Sequence, residues 1–122
     1  LQQQFGGYRG AAPRPSDFDL FWKDRMAEAD AVELDYAIEA APAADSATCQ
    51  FFDFWYTGMC GARLHAKYLK PVSDEHVPLV LQFHGYPGAS RSWFEQASFA
   101  GMGMALIALD CPGQGGPSEE GT

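Results

Sequence analysis

Two short apolar runs, joined by a segment with a helix-start signal, constrain the fold more than any other part of the sequence. Leu79–Phe83 is a nearly continuous apolar run, and Met104–Leu109 is a second one. Such runs are typical of strands that are buried on both faces, as in a parallel sheet. Between them, Ser92 and Glu95 fit a capping box, and Gly101 is a stop signal for the helix that should follow. Strand, helix and strand predict a βαβ unit, and therefore an α/β fold.

The residues upstream of this unit predict an antiparallel start to the same sheet. Cys49–Tyr56 is rich in aromatic residues, and Ala62–Leu69 alternates between apolar and polar side chains. Both patterns indicate strands, and the glycines within Thr57–Gly61 suit a hairpin turn between them. We therefore expect residues 48–122 to form the sheet, which begins antiparallel and continues as a parallel sheet with a βαβ crossover.

The first part of the chain predicts an irregular arm followed by one helix. Residues 1–15 are rich in Gly, Gln and Pro, whereas Ser16 and Asp19 fit a capping box that opens a helix over 16–30. The apolar residues of that helix recur at helical spacing, which gives it one apolar face: Phe18, Phe21, Trp22, Met26 and Ala29. Ala40–Ala47 is predicted to be a linker of small residues, and the whole of 1–122 to belong to one domain.

Charge and cysteine content exclude several classes of function. The formal net charge of -8 argues against binding to nucleic acid or to an anionic membrane. No apolar run approaches the roughly 18 residues of a membrane span, and the start of the chain lacks the layout of a signal peptide. The three cysteines are odd in number and none has C-x-x-C spacing, so we expect no metal site, no cofactor and a reducing, cytoplasmic setting.

Two loops follow the predicted parallel strands, and both occupy positions where α/β proteins bind ligands. These are His84–Gly88 and Asp110–Ser118, beyond the carboxyl ends of the strands. A strand that ends in His-Gly is typical of the oxyanion loop of lipases and esterases, where a backbone N–H helps to hold the oxyanion. We interpret His84 as a brace for its loop and not as a general base, because the catalytic histidine of that fold comes last in the chain.

Neither candidate serine satisfies the G-x-S-x-G pattern of a nucleophile elbow. Ser90 and Ser118 each follow a glycine by two residues, but both lack the second glycine. The glycine-rich run Gly113–Gly116 has some similarity to a dinucleotide-binding loop, yet Pro117–Thr122 offers no helix to follow it. We therefore predict no complete catalytic triad in this sequence.

Four segments together carry a resemblance to a known family. They are Asp17–Trp22, Gly61–Pro71, Phe83–Tyr86, and Ala108–Asp110 with Gly113–Ser118. At these residues the chain resembles the acetyl xylan esterase and cephalosporin C deacetylase family, carbohydrate esterase family 7, over roughly residues 13–118. The chain departs from the usual pattern at one point, where Cys111-Pro112 stands in place of the arginine that precedes Gly-Gln in that family.

The resemblance implies an α/β-hydrolase fold and a serine esterase that removes acetyl groups from sugars, such as xylo-oligosaccharides, or from cephalosporin-like small esters. It implies that the backbone N–H of Tyr86 belongs to the oxyanion hole, and that His84, Gly85, Tyr86 and Gln114 lie at the substrate. The family's serine, aspartate and histidine are expected beyond Thr122, so this chain would supply the oxyanion loop without the triad. The family commonly forms a ring-like homohexamer.

Two other classes of function remain open from the sequence. A hydrolase-fold module without catalysis could bind a ligand or a partner with the same loops, and would never hydrolyse an ester. A nucleotide-binding βαβ protein is the third class, and it depends only on the glycine-rich run Gly113–Gly116.

Overall fold

The computed structural model describes residues 6–8, 10–41 and 46–121. Contacts divide the chain into two compact units, Leu1–Ala31 and Val32–Thr122. None of the helices within these described ranges is long and apolar enough to cross a membrane.

The first unit is built around helix α1, Phe18–Asp30, which begins later than its sequence pattern predicts. Asp17 is the N-cap residue, and no side chain caps the helix. The prediction of a capping box between Ser16 and Asp19 is therefore wrong, because the Asp19 carboxylate pairs instead with the guanidinium of Arg14. The aromatic residues of α1 do share one side, where the Phe21 and Trp22 rings meet edge to face at 5.5 Å.

The second unit is a five-stranded mixed sheet with one helix. In chain order its elements are β1 (Tyr36–Ala40), β2 (Cys49–Thr57), β3 (Arg63–Pro71), β4 (Leu79–Phe83), α2 (Trp93–Gly101) and β5 (Ala105–Leu109). The strands lie in the order β1-β2-β3-β5-β4, and only β4 and β5 are parallel to each other.

Most of this arrangement agrees with the sequence. The β2–β3 hairpin is closed by a short 3₁₀ turn at Met59–Gly61, within the predicted turn, and β4, α2 and β5 form the predicted βαβ unit. The sheet nevertheless starts at β1 and not at residue 48, because Tyr36–Ala40 pairs antiparallel with β2. The predicted linker Ala40–Ala47 overlaps the last residue of β1, and its residues 42–45 lie outside the described ranges.

Helix α2 covers one face of the sheet and creates the core there. The buried apolar residues of this core come from the sheet, from the residue that follows β1 and from α2: Ala41, Cys49, Phe51, Leu69, Ala100, Leu106 and Ala108. The Trp93 ring meets the Phe51 ring edge to face at 5.7 Å. One polar pair is included, in which the buried Gln96 donates a hydrogen bond of 2.8 Å to Oε1 of Gln82.

Strand β4 is covered on one face only, which corrects the prediction that it is buried on both. Its side chains alternate, so that Val80 packs against the core while Leu79, Leu81 and Phe83 are 54%, 58% and 68% exposed. The reason is that α2 lies on the side of Val80 and Gln82, whereas the side chains on the opposite side of β4 are exposed. A continuous apolar run predicted the strand correctly, but it did not reveal how many layers cover it.

Helix α2 begins with the capping box that the sequence predicts. The Ser92 hydroxyl accepts a hydrogen bond from the Glu95 N–H, and the Glu95 carboxylate accepts one from the Ser92 N–H at 3.1 Å. The helix extends through Gly101, and Gly103 then takes the left-handed conformation that reverses the chain.

We expect Ser92→Ala to lower the free energy of unfolding by about 1 kcal/mol, because the Glu95 N–H loses its acceptor and the Glu95 carboxylate loses the hydroxyl donor. Urea unfolding of the variant and the wild type measures this loss. Ser98→Ala is the matched control, since the Ser98 hydroxyl only donates to a carbonyl inside the helix. Equal losses in both variants would show that the capping box adds nothing.

Candidate functional site

Two loops meet at the carboxyl ends of β4 and β5. We call residues 84–91 the β4 loop and residues 110–118 the β5 loop. A cavity of about 300 Å³ opens between the end of the two strands and the β4 loop. Its lining comes from β4, the β4 loop and β5: Gln82–Gly85, Gly88–Arg91 and Ala108–Leu109.

His84 joins the two loops, as its interpretation as a brace requires. Its Nε2 accepts a hydrogen bond of 3.0 Å from the Cys111 N–H, and its Nδ1 lies 3.1 Å from the Gly85 carbonyl oxygen. An acceptor at Nε2 and a donor at Nδ1 together define a neutral tautomer. Both ring nitrogens are thus occupied by backbone groups, although the ring also lines the cavity.

Tyr86 extends from the β4 loop into solvent. Its side chain is 87% exposed and does not line the cavity, whereas the neighbouring Gly85 does. Within the ranges that the structure describes, the Tyr86 backbone N–H has no hydrogen-bond partner. The Tyr86 N–H is therefore an unused donor among the described residues, one position along the chain from the cavity lining, and the phenol ring lies outside that lining.

Close packing between the loops explains the glycine-rich run. The Gly115 N–H donates a hydrogen bond of 2.9 Å to the Gly88 carbonyl, and a Cβ at Gly115 would lie 3.2 Å from that same oxygen. A Cβ at Gly116 would overlap the carboxyl group of Asp110. At Gly115 the backbone of Gly88 leaves little room for a side chain, and at Gly116 the Asp110 side chain fills the space that a Cβ would need. Packing between the loops therefore explains these glycines without a bound nucleotide.

The fourth predicted substrate-binding residue, Gln114, lies in the β5 loop and does not line the cavity. Its Oε1 is buried and has no hydrogen-bond partner among the described residues. The structure thus brings His84 and Gly85 to the cavity and leaves Tyr86 and Gln114 outside its lining. The predicted substrate-binding roles of all four residues stay predictions.

Neither serine forms part of a nucleophilic pair. The Ser118 hydroxyl donates to the Asp110 carbonyl oxygen at 2.6 Å and accepts from the His65 N–H at 2.8 Å, so it ties the β5 loop to β3. The Ser90 hydroxyl is buried and forms no hydrogen bond with any residue that the structure describes. In the described ranges, the rings of His65 and His84 bond only to carboxylates and backbone groups. Among all the residues that the structure describes, no group of three or more His, Cys, Asp or Glu side chains is arranged to hold a metal ion.

A buried charge cluster, which sequence reasoning missed, lies beneath the loops. His65 is 3% exposed, with Nδ1 2.6 Å from Oδ2 of Asp110 and Nε2 2.9 Å from Oδ1 of Asp53. Asp110 is 1% exposed, and its Oδ1 accepts a hydrogen bond of 2.6 Å from the Ser90 N–H. The Trp55 ring covers His65, with the ring centroids 4.7 Å apart. Asp53 lies at the edge of this cluster, with its side chain 34% exposed. We call Asp53, His65 and Asp110 the buried triad.

Contacts within the buried triad shift the pKa values of His65 and Asp110 in opposite directions. Burial alone would lower the pKa of His65, but hydrogen bonds to the Asp110 and Asp53 carboxylates outweigh it and raise that pKa. Burial alone would likewise raise the pKa of Asp110, but hydrogen bonds from His65 and Ser90 hold it below its ordinary value. The two carboxylates beside His65 therefore favour the protonated form of its ring, and His65 in turn favours the ionised form of Asp110.

One signal in the sequence points to this cluster. Asp53 lies between Phe51 and Trp55 on the side of β2 that faces the core, where an unpaired carboxylate would be costly. Hairpin pairing places His65 opposite Trp55 on the same face, and its ring is therefore within reach of Asp53. Asp110 could not be found in this way, because it is 45 residues distant and comes close only when β5 pairs with β3.

We expect the stability of the fold to be greatest between about pH 4 and 6.5. The raised pKa of His65 contributes stability that is complete below its ordinary value of 6.5 and is lost as the pH rises through the folded value. The lowered pKa of Asp110 contributes stability that is present above its ordinary value of 3.8 and is lost as the pH falls through the folded value.

Urea unfolding as a function of pH measures both limbs. His65→Gln should flatten the alkaline limb, and it should also reduce the acid limb, because His65 supplies part of the lowering of the Asp110 pKa. Tyr56, whose pKa is raised by burial and by the nearby Asp110, also titrates at alkaline pH and remains in both proteins. An alkaline limb that is unchanged in His65→Gln would assign it to Tyr56 or other groups and contradict the prediction.

Comparison with known proteins gives a consistent result. A family model for acetyl xylan esterase matches residues 2–122. Acetyl xylan esterase 1 from Thermoanaerobacterium sp. JW/SL YS485 has a similar structure, with a TM-score of 0.90 and 32% identity over 98% of this chain and 38% of that protein. An acetyl xylan esterase from Paenibacillus sp. R4 is similar at a TM-score of 0.85 and 28% identity, over 98% of this chain and 39% of that protein.

A more distant structure shares only the fold. It is a cold-adapted esterase from an Arctic intertidal metagenomic library, with a TM-score of 0.51 and 23% identity over 64% of this chain and 35% of that protein. No curated protein sequence matches the chain. The chain spans less than two-fifths of the length of the two acetyl xylan esterases.

Proposed function

The chain belongs to the acetyl xylan esterase family, and from that membership we propose that it forms the N-terminal part of a serine esterase domain. Its mixed sheet and helices have the α/β-hydrolase fold of its structural neighbours, so the predicted fold class is confirmed. The proposed substrates are acetyl esters of sugars such as xylo-oligosaccharides, and small esters of the cephalosporin type.

The observation that carries the proposal is the free backbone N–H of Tyr86 beside the cavity at the carboxyl ends of β4 and β5. Acyl transfer passes through a tetrahedral intermediate, and the negative charge on its oxygen needs donors that are already in position. Tyr86 follows a parallel strand in a loop that is bonded to the β5 loop at His84 and at Gly88. A backbone donor held in this way supplies half of an oxyanion hole.

The remaining chemistry would come from the rest of the domain. A serine activated by a histidine attacks the acetyl carbonyl, the sugar hydroxyl leaves with a proton from that histidine, and water then releases acetate from the acyl-enzyme. Neither Ser90 nor Ser118 is paired with a histidine in the described residues. We therefore propose that the 122-residue chain contributes the oxyanion loop and no nucleophile.

Acetate release tests this division of labour. The complete domain should release acetate from acetylated xylo-oligosaccharides, whereas the isolated chain should stay at the background rate. A slow burst of the isolated chain with p-nitrophenyl acetate that survives in the Ser90→Ala and Ser118→Ala variants is acylation of exposed lysines, and leaves the proposal standing. A burst that either substitution abolishes would place a nucleophile in this chain and overturn it.

A hydrolase-fold binding module is the second candidate. It is favoured by one observation, namely that the described histidine rings bond to carboxylates and backbone groups and not to a serine. The same experiment separates the candidates. A complete domain that binds acetylated xylo-oligosaccharides in calorimetry but releases no acetate is a binding module.

Assembly and location are further proposals. We propose that the complete protein is a homo-oligomer, with a hexamer as the specific expectation from the family resemblance, and sedimentation analysis of the complete protein checks it. We also propose a cytoplasmic location, because the three cysteines are free and one of them, Cys60, is exposed. Fractionation of the cells that make the protein tests this location.

A further inference from the structure

The buried triad has more partners than a simple tie between strands would need. Both ring nitrogens of His65 face carboxylate oxygens, at 2.6 Å from Asp110 and 2.9 Å from Asp53. A neutral ring would place a nitrogen lone pair against one of these oxygens in a buried setting, which is unfavourable. The doubly protonated ring therefore fixes the plane and position of the Asp110 carboxylate through a charge-assisted hydrogen bond.

The Asp110 carboxylate in turn holds the β4 loop. Its Oδ2 lies 2.6 Å from Nδ1 of His65, and its Oδ1 accepts a hydrogen bond of 2.6 Å from the Ser90 N–H. Lys67 binds the same end of the β4 loop. Its Nζ donates to the Ser90 carbonyl at 3.2 Å and to the Arg91 carbonyl at 2.8 Å. The end of the β4 loop that leads to α2 is thus attached to β3 and β5 through side chains.

The backbone of Asp110 does not need the His65 ring. The Asp110 N–H donates to the His65 carbonyl at 3.0 Å, and the Asp110 carbonyl accepts from the Ser118 hydroxyl at 2.6 Å. These bonds keep the main chain in place whatever the His65 side chain does. The ring is consequently required for the orientation of the carboxylate, and through it for the position of the Ser90 amide.

We propose that His65 is a positioning residue for the oxyanion loop: it orients the Asp110 carboxylate, which holds the Ser90 N–H and so fixes the loop that presents the Tyr86 N–H. This inference rests on the proposed esterase function, because the oxyanion role of Tyr86 belongs to it. A donor displaced by a fraction of an ångström stabilises the transition state less, whereas substrate binding by other groups is unaffected.

Two matched substitutions separate positioning from mere stabilisation. Asn at position 65 keeps an N–H near the place of Nδ1, where it can still donate to Asp110, and Gln keeps one near the place of Nε2, where it can donate only to Asp53. In the complete esterase domain we expect His65→Gln to lower kcat about tenfold with KM within twofold, and His65→Asn to keep kcat within about threefold. Asp53→Asn removes the outer carboxylate and should also keep kcat within about threefold.

Hydrogen exchange of the Ser90 amide gives a readout that needs no activity. We expect this amide to be protected in the wild type and in His65→Asn, and to exchange much faster in His65→Gln. If the wild-type domain releases no acetate but the exchange follows this pattern, the proposed function fails and the positioning of the loop stands. If acetate is released but Ser90 exchange is equal in the three proteins, the positioning role of His65 fails alone.

Stability is measured for each variant by circular dichroism, so that kcat is compared between folded proteins. Equal losses of kcat in His65→Asn and His65→Gln would show that the cluster acts only as a tie between strands, and would overturn the proposal. If His65→Gln does not fold, His65→Asn decides: a protected Ser90 amide with kcat within threefold supports the proposal, and free exchange or a tenfold loss contradicts it.

Discussion

Tyr86→Pro lowers the kcat of the complete esterase by about 10²–10³-fold, because proline has no N–H to donate to the oxyanion. Tyr86→Ala keeps the backbone donor and removes only a side chain that is mostly exposed and lies outside the cavity lining. We expect the Ala variant to lose substrate contacts, and therefore to raise KM more than it lowers kcat. Steady-state kinetics on an acetylated sugar measure both parameters.

The comparison between the two variants carries the prediction. The loss of an interaction that is made only in the transition state lowers kcat and kcat/KM equally. This is the pattern expected of Tyr86→Pro. Because proline would then stand beside Pro87, circular dichroism and the thermal midpoint must show that the variant remains folded. Equal losses of kcat in the Ala and Pro variants would assign the effect to the side chain or the loop shape, and the oxyanion role of Tyr86 would be wrong.

Asp110→Ala lowers the free energy of unfolding by about 3–5 kcal/mol, the usual cost of removing one partner from a buried ion pair. The substitution leaves the His65 imidazolium with Asp53 alone and the Ser90 N–H without its acceptor. It also opens a space beside Gly116, whose backbone lies against the Asp110 carboxyl group. Urea unfolding of the complete domain at pH 6 measures the loss.

Asp74→Ala is the matched control for this substitution. Asp74 is exposed in the bend between β3 and β4, so its replacement should change the free energy of unfolding by no more than about 0.5 kcal/mol. A loss of less than about 1 kcal/mol in Asp110→Ala would mean that water or a rearranged side chain satisfies His65. The buried triad would then contribute little to stability.

The elements that could be predicted from sequence are those whose cause is local. The capping box of Ser92 and Glu95 is correct because both partners lie within one turn of the same helix. The β2–β3 hairpin is correct because two strand patterns enclose a turn rich in glycine. Strand β1 was missed because Tyr36–Ala40 is short and lies at the edge of the sheet, where exposure obscures any buried side.

The errors concern partners that a local sequence pattern does not select. The carboxylate of Asp19 had an alternative partner in Arg14, and the sequence pattern does not rank the two. The burial of β4 depends on which elements cover it, and the composition of Leu79–Phe83 does not show which ones do. In the same way the oxyanion candidate was visible in the motif at Tyr86, whereas the buried triad needed the register of three strands.

The strand order imposes a sequence of assembly on the chain. Strand β5 lies between β3 and β4, so β4 has no backbone partner in the described sheet until Leu109 has been synthesised and has paired. The hairpins β1–β2 and β2–β3 join near neighbours and close early, whereas β4 stays unpaired until β5 is available. In nascent chains stalled upstream of β5, the antiparallel half should therefore resist proteolysis while Leu79–Phe83 is still cleaved.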